Sequence, residues 1–212
     1  REILNMAITS SMGDIFEQPL QGYVGESGDL WMHSLRTAIA SSMVASAVFP
    51  SLAGTSAYTA GLLHDIGKVA LSDFLTPYSG EIIANLGKGE DGDFAGSERR
   101  VLHMDHAEAG WLLSRQWNIP DSICAVVRHH HEPGEAPGEY RELCIAVHIG
   151  DILAMLGGYG TGADTLSYRI DPLAEEVLRH HNDTVVRLML NIEGEFVKSP
   201  RRLRELSGEK HV

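Results

Sequence analysis

The sequence predicts an all-α protein, and three observations carry that prediction. Its patterned segments recur at the helical spacing of i, i+3, i+4 and i+7 rather than alternating. The short β-branched runs between hairpin turns that mark strands are absent. The connections between the periodic stretches carry the breakers, chiefly glycine, proline and aspartate. At 212 residues and 43% hydrophobic composition, residues 1–212 are expected to form one domain with a real core.

The first predicted helix runs from Glu2 to Phe16 and the second from Leu30 to Val48. In the second, His33 is followed by Thr37 and Ala40 at i+4 and i+7, on a face of mostly small residues. Asp29 stands at the start of that helix, where an aspartate reads as an N-cap. The third helix, Ser56 to Asp65, places Ala57, Ala60, Gly61 and His64 on one small-residue face, so His64 points inward. Gly67 suits the left-handed conformation that ends a helix. Asp65 follows His64 directly. A buried carboxylate without a partner is costly, so a cation is the natural supposition; the alternative is an aspartate that caps or turns the chain beside a hydrogen-bonded core histidine.

A helix from Ser97 to His103 is followed by Asp105 and Glu108 at capping-box spacing, which starts the next helix at His106 and carries it over Ala107 to Trp117. His106 then shares the buried face with Ala109, Gly110, Leu113 and Trp117. Pro120 and Asp121 open a helix over Ser122 to His130, whose stripe of Ile123, Val126 and Val127 runs on to His130. His131 extends the side of Cys124 and Val127, whereas His129 extends that of Ser122 and Ala125, so His131 is the second ligand candidate there. In the helix Glu142 to Leu156, Asp151 lies among Val147, Gly150 and Ala154, and a lone aspartate in an apolar helix wants a partner. A helix from Pro172 to Leu190 completes the pattern. Residues 87–96 and 157–172 are Gly/Asp-rich loops, the second long enough to be a lid or a surface segment.

Five helices thus each offer an inward His or Asp: His33; His64 with Asp65; His106; His130 with His131; and Asp151. Imidazole mixed with carboxylate suits two divalent first-row ions, Fe, Mn, Ni, Co or Zn, better than calcium or a thiolate-bound zinc. A shared Asp65 would bridge the two. His103, His148, His180, His181 and His211 read instead as packing or surface histidines. The net charge of −12 argues against a nucleic-acid duplex or an anionic membrane as partner. Cys124 and Cys144 lack CxxC spacing and read as small buried hydrophobes. With no signal peptide and no run of 18 apolar residues, a soluble cytoplasmic domain is expected.

The stretches "LWMHS", "AGLLHDIGK", "DHAEAGWLLSRQWNIP" and "VVRHHHEP" resemble, in this order and over about residues 25–155, the HD-domain superfamily, named for the pair that here is His64 and Asp65. The resemblance is closest to the HDOD family of bacterial signalling proteins. It implies an HD-domain-like helical bundle whose N-terminal helices are largely missing here, as in a piece of a longer chain. It also implies metal ligands at His33, His64, Asp65, His106, His130, His131 and Asp151, the positions that spacing reaches independently. Many HDOD members are degenerate at these positions and regarded as regulatory modules, but this chain keeps every one. The related HD-GYP phosphodiesterases carry a GYP signature after their paired histidines, and "HHEPGEAPGEY" has none, which puts cyclic di-GMP in doubt as a substrate. Lys68 matches the lysine that in HD-GYP proteins sits near substrate phosphate; the alternative is a helix-end lysine in water. Some HD-GYP proteins place a glutamate at the offset of Asp29 and use a third metal, so Asp29 either caps its helix or orients His33 or holds a third ion.

The expected activity is metal-assisted hydrolysis of a phosphorylated small molecule or nucleotide, with Asp65 and Lys68 as the catalytic pair. The rival is a non-catalytic signalling module with a structural or vestigial metal site and a protein partner. A di-iron oxygenase on the same scaffold is a third reading of the same ligand types.

Overall fold

The computed structural model describes residues 13–52, 54–86, 93–166 and 168–197. Most of the predicted helix Glu2 to Phe16 lies outside them, although residues 13–16 are helical; His211 and residues 87–92 of the first loop also lie outside. Among the described residues the fold is all-helical, with an isolated Leu20–Gly25 bridge and no strand. No described helix is long and apolar enough to cross a membrane.

The central helix, α1 (Asp29–Val48), packs against α2 (Gly54–Leu63), against α8 (Arg141–Leu156) and against the C-terminal α10 (Asn182–Val197). Close approach explains this arrangement. A Cβ on Gly61 would lie 2.8 Å from Ser41 Oγ, and one on Gly150 would lie 2.4 Å from the same atom, so Ser41 of α1 sits between two helix backbones that only glycine lets in. The small-residue faces read from the sequence are these contacts. They bring His33, His64 and Asp151 to one end of the core.

A second group is built around α3 (Ile66–Leu75), followed by the short α4 (Ser79–Asn85), then α5 (Phe94–Leu102), α6 (His106–Gln116) and α7 (Asp121–His129). The spacing predicts a helix that ends at Asp65 with Gly67 as its terminator. The chain instead turns at His64 and Asp65 and starts α3 at once, with Gly67 inside it. Gly67 has no positive φ; its missing side chain admits α6, since a Cβ there would lie 1.9 Å from the His106 carbonyl oxygen.

Asp105 caps α6 as its spacing predicts, accepting the Glu108 N–H at 2.7 Å. The helix expected from Pro172 to Leu190 is two helices, α9 (Pro172–His180) and α10, joined at His181. Residues 179–184, Arg-His-His-Asn-Asp-Thr, offer no apolar side chain to hold a continuous helix on the core, and the buried anchors Ala174 and Val185 lie on either side.

Candidate metal centre

The turn between α2 and α3 sets His64 against His33 and Asp65 against His106, two residues that, with His131 and Asp151, line a cavity of about 570 Å³. His33 comes from α1, His106 from the first turn of α6, His130 and His131 from the end of α7, and Asp151 from the middle of α8. All seven predicted residues are thereby brought together. His131 is half-buried and the other six are buried.

Asp65 organises the group. Its Oδ2 lies 3.3 Å from His64 Nε2 and 3.6 Å from His33 Nε2, while its Oδ1 lies 3.5 Å from both His106 Nε2 and His130 Nε2. Each oxygen therefore serves a different pair of imidazoles. Asp151 Oδ1 adds to the first pair, 3.0 Å from His33 Nε2 and 3.7 Å from His64 Nε2. Two clusters result, His33 with His64 and Asp65, and His106 with His130 and His131; within each, the ligand atoms lie within 4.8 Å of one another. Asp65 also holds the N-cap position of α3, yet its carboxylate accepts no amide of that helix. The capping role is thus not the one it plays.

The second nitrogen of four imidazoles is pinned. His33 Nδ1 donates to the Tyr159 carbonyl at 2.7 Å, His64 Nδ1 to the Gly61 carbonyl at 2.7 Å, and His130 Nδ1 to the Val127 carbonyl at 3.0 Å. His106 Nδ1 donates to Glu98 Oε2 at 2.7 Å. With Nδ1 as donor, the Nε2 lone pairs converge on the cavity, which is how metal-binding histidines are oriented. Asp65 Oδ1, His130 Nε2 and Asp151 Oδ1 are buried and have no hydrogen-bond partner of good geometry. Orphaned ligand atoms of this kind, with Asp65 Oδ1 and His130 Nε2 only 3.5 Å apart, fit a cation between them.

The protonation pattern agrees. Burial opposes charge on Asp65 and Asp151, but the histidines around them, with Lys68 beside Asp65, hold both carboxyls well below the usual carboxylate range. Burial drives His130 down to about 4, and burial with the neighbouring His130 and His106 lowers His131 further from its ordinary value. These are the neutral-imidazole and carboxylate forms that ligands need. On His64 burial also resists charge, but Asp65 and Asp151 outweigh it and raise the imidazole to about 10. A proton would therefore compete with a metal ion for His64, and also for His106, where burial resists charge but the Glu98 carboxylate outweighs it and raises the imidazole.

Three supporting residues escaped the sequence reading. Glu98 of α5 is fully buried and takes the His106 N–H at 2.8 Å, His106 Nδ1 and the Tyr23 hydroxyl. Its only sequence signal is its place three residues after Ala95 and four before Leu102, on an otherwise apolar face. Thr161 and Asp164, from the loop after α8, both bind Lys68, with Nζ distances of 2.9 and 2.5 Å; a third bond of 2.5 Å runs to Asp65 Oδ2. Lys68 is thus a buried residue in the first turn of α3 and not a helix-end lysine in water. Asp29 does not cap α1: the N-cap is Gly28, Asp29 is the first helical residue, and its carboxylate accepts the Glu26 N–H of the preceding turn at 2.7 Å and no amide of α1. His103, His180 and His181 are exposed, and His148 is buried with Nδ1 donating to the His130 carbonyl at 2.7 Å.

A helical bundle with paired His-Asp clusters at one end defines a protein of the HD-domain type. The HDOD domain model matches residues 1–133, and the chain belongs to the HDOD family. An uncharacterised protein from Treponema pallidum (strain Nichols) is 28% identical over 142 residues, covering 63% of this chain; the chain spans about a quarter, 26%, of that relative's length. Among solved structures, an HDOD domain protein of unknown function from Geobacter sulfurreducens superposes with a TM-score of 0.58 at 18% identity, over 87% of this chain and 67% of that one. A protein from Marinobacter aquaeolei VT8, provisionally named a signal transduction protein, gives 0.65 at 20% identity, over 91% and 44%. One from Shewanella amazonensis SB2B, provisionally named a phosphohydrolase, gives 0.52 at 21%, over 78% and 63%. At these identities the structural likeness is one of fold.

Proposed function

We propose that this chain is a metal-dependent phosphohydrolase of the phosphodiesterase type, acting on a nucleotide or another small phosphoester in signal transduction. The observation that carries the reading is the division of Asp65 between two imidazole pairs, with buried, partnerless ligand atoms on both sides of it. His33, His64, Asp65 and Asp151 would hold one divalent ion, and His106, His130, His131 and the other oxygen of Asp65 the second. Two such ions supply Lewis acidity, which lowers the pKa of a water and neutralises charge developing on phosphoryl oxygens.

The chain's own residues supply the rest. The carbonyls of Tyr159, Gly61 and Val127, with the Glu98 carboxylate, fix the ring orientations. Lys68, beside Asp65, brings a cation to the cavity wall, where a substrate phosphate would lie. Metal analysis paired with hydrolysis of bis(p-nitrophenyl) phosphate tests the reading: wild type should carry close to two ions per chain and turn the diester over, and Asp65→Ala should do neither.

One observation favours a second reading, that of a non-catalytic module binding a protein partner. The lysine needed for phosphate is already engaged by two carboxylates, Asp65 and Asp164. Full metal occupancy without hydrolysis of any phosphoester in a nucleotide panel would favour that module.

A further inference from the structure

We propose that Asp164 is an internal anion standing where a substrate phosphate oxygen would bind, so that the site carries its own competitor. The inference rests on the phosphohydrolase reading above and concerns how that site is regulated.

An ammonium has three protons to donate. Lys68 Nζ has three acceptors, Asp65 Oδ2 at 2.5 Å, Thr161 Oγ1 at 2.9 Å and Asp164 Oδ2 at 2.5 Å. Its capacity is full, and a phosphate oxygen reaches this nitrogen only by displacing one of them. Asp65 is held among the imidazoles of His64, His33, His106 and His130, and Thr161 is neutral. Asp164 is the partner that can leave.

Its environment is that of a displaceable ligand. Asp164 Oδ2 accepts from both the Lys68 ammonium and the Thr161 hydroxyl, the latter at 2.5 Å. That pair of donors forms a cradle for one anionic oxygen, and a phosphate oxygen asks for the same charge-assisted bonds. The other oxygen of Asp164, Oδ1, is buried without a partner, so the carboxylate is only half satisfied where it sits. It is also the more exposed of the two carboxylates on Lys68, with 11% of its side chain accessible against 2% for Asp65. It is carried by a single short 3-10 turn, Ala163–Leu166, rather than by a packed α-helix. It lines the same cavity as His33, His106, His131 and Asp151.

Charge gives the exchange its direction. The cavity wall also bears Asp93, Asp105, Glu108, Glu132, Glu135 and Asp171 against Arg99, Arg128 and Arg169, an excess of carboxylates that disfavours an incoming dianion. Moving Asp164 out as phosphate enters frees the Lys68 cation and lowers the number of carboxylates at the point of binding. An anion that cannot displace Asp164 is excluded.

The test is binding of inorganic phosphate, measured by isothermal titration at fixed ionic strength on metal-analysed protein, for wild type, D164N, D164A and the double variant D164N/K68M. D164N keeps the volume and removes the charge, and D164A guards against an amide that re-forms the same bonds. Phosphate should bind D164N and D164A roughly tenfold or more tighter than wild type, and the gain should vanish in D164N/K68M. Equal or weaker binding by both single variants overturns the proposal, as does an equal gain in D164N/K68M, which would make the effect one of net charge alone. If metal-loaded wild type hydrolyses the diester while neither variant gains affinity, the internal competitor is refuted and the phosphohydrolase reading stands. If no variant binds phosphate and none hydrolyses the diester, both fall together.

Discussion

The guanidinium carbon of Arg36 lies 3.2 Å from the centroid of the Tyr159 ring, and the carbonyl of that same Tyr159 accepts the Nδ1–H of His33. On its other side Arg36 faces the Phe196 ring of α10, 3.5 Å from its centroid, and pairs with Glu193 through Nε at 3.2 Å. The C-terminal helix is therefore stacked, through one buried arginine, onto the residue that orients a candidate metal ligand. Arg36→Ala is expected to cost about 2–3 kcal/mol, from a desolvated double cation–π stack and the packing of its stem. Glu193→Gln should cost under about 1 kcal/mol, because that carboxylate is 53% exposed. Urea denaturation of both variants and of Arg36→Lys checks the assignment. The lysine keeps the charge but not the planar stack, and should resemble alanine more than wild type.

Gly67→Ala should be far more damaging than a glycine-to-alanine change in a helix normally is. Within a helix the replacement ordinarily stabilises by roughly 0.5–1 kcal/mol. Here the new methyl would meet the His106 carbonyl oxygen at 1.9 Å and the Gly110 nitrogen at 2.6 Å, both backbone atoms that cannot rotate away. A loss of about 3 kcal/mol is expected, together with reduced metal content, because the same contact sets His106 against Asp65. A thermal midpoint at or above that of wild type would show that α3 and α6 separate freely.

Six of the seven centre residues were legible because each breaks an otherwise apolar or small-residue stripe at helical spacing, as His64 does after Gly61, His130 after Val127 and Asp151 after Val147; Asp65 was legible only as the neighbour of His64. Glu98 and Asp164 were not. Glu98 sits in a charged run, Ser-Glu-Arg-Arg, that looks solvated until Tyr23 and His106 fold onto it. Asp164 belongs to a Gly/Asp-rich loop whose composition only marks it as a loop, and its partner Lys68 lies 96 residues away in sequence. Gly67 gave the misleading signal. A glycine just after a periodic stretch is both a common helix stop and a common point of close approach, and only the position of the His106 carbonyl decides between them.

Burial pushes the Cys144 thiol up to about 12. The native protein at pH 8 should therefore resist thiol reagents at this position until it is unfolded in urea. Its folded value lies above the unfolded value of about 8.5. The folded state thus keeps a proton that the unfolded chain releases between those limits. The associated stability is fully present below about pH 8.5 and is lost as pH rises toward about 12, with a slope of up to about 1.4 kcal/mol per pH unit. Comparing the pH dependence of unfolding in wild type and Cys144→Ala isolates the effect: the difference in stability between them should shrink steadily above pH 9. A constant difference from pH 8 to 11 would mean that the thiol titrates normally.

Asp65→Ala should remove most bound metal, and more of it than His106→Ala does. The two oxygens of Asp65 face separate imidazole pairs, so its loss leaves two like charges opposed without their shared anion, whereas His106→Ala removes one neutral ligand from one side. His106→Ala is accordingly expected to keep close to one ion per chain, held by His33, His64, Asp65 and Asp151. Asp65→Ala also takes one of two carboxylates from the buried Lys68 ammonium, so a fall in stability accompanies the metal loss and does not by itself identify the cause. Asp65→Asn separates the two, since it keeps the volume and can still accept from Lys68 while losing the bridging charge. Its metal content should fall as far as that of the alanine variant, with a smaller drop in thermal midpoint. A role confined to capping α3, which the missing amide contact already opposes, predicts a cost of about 1 kcal/mol in Asp65→Ala, little in Asp65→Asn, and unchanged metal in both. Elemental analysis of the purified variants, run beside their thermal melts, decides between these outcomes.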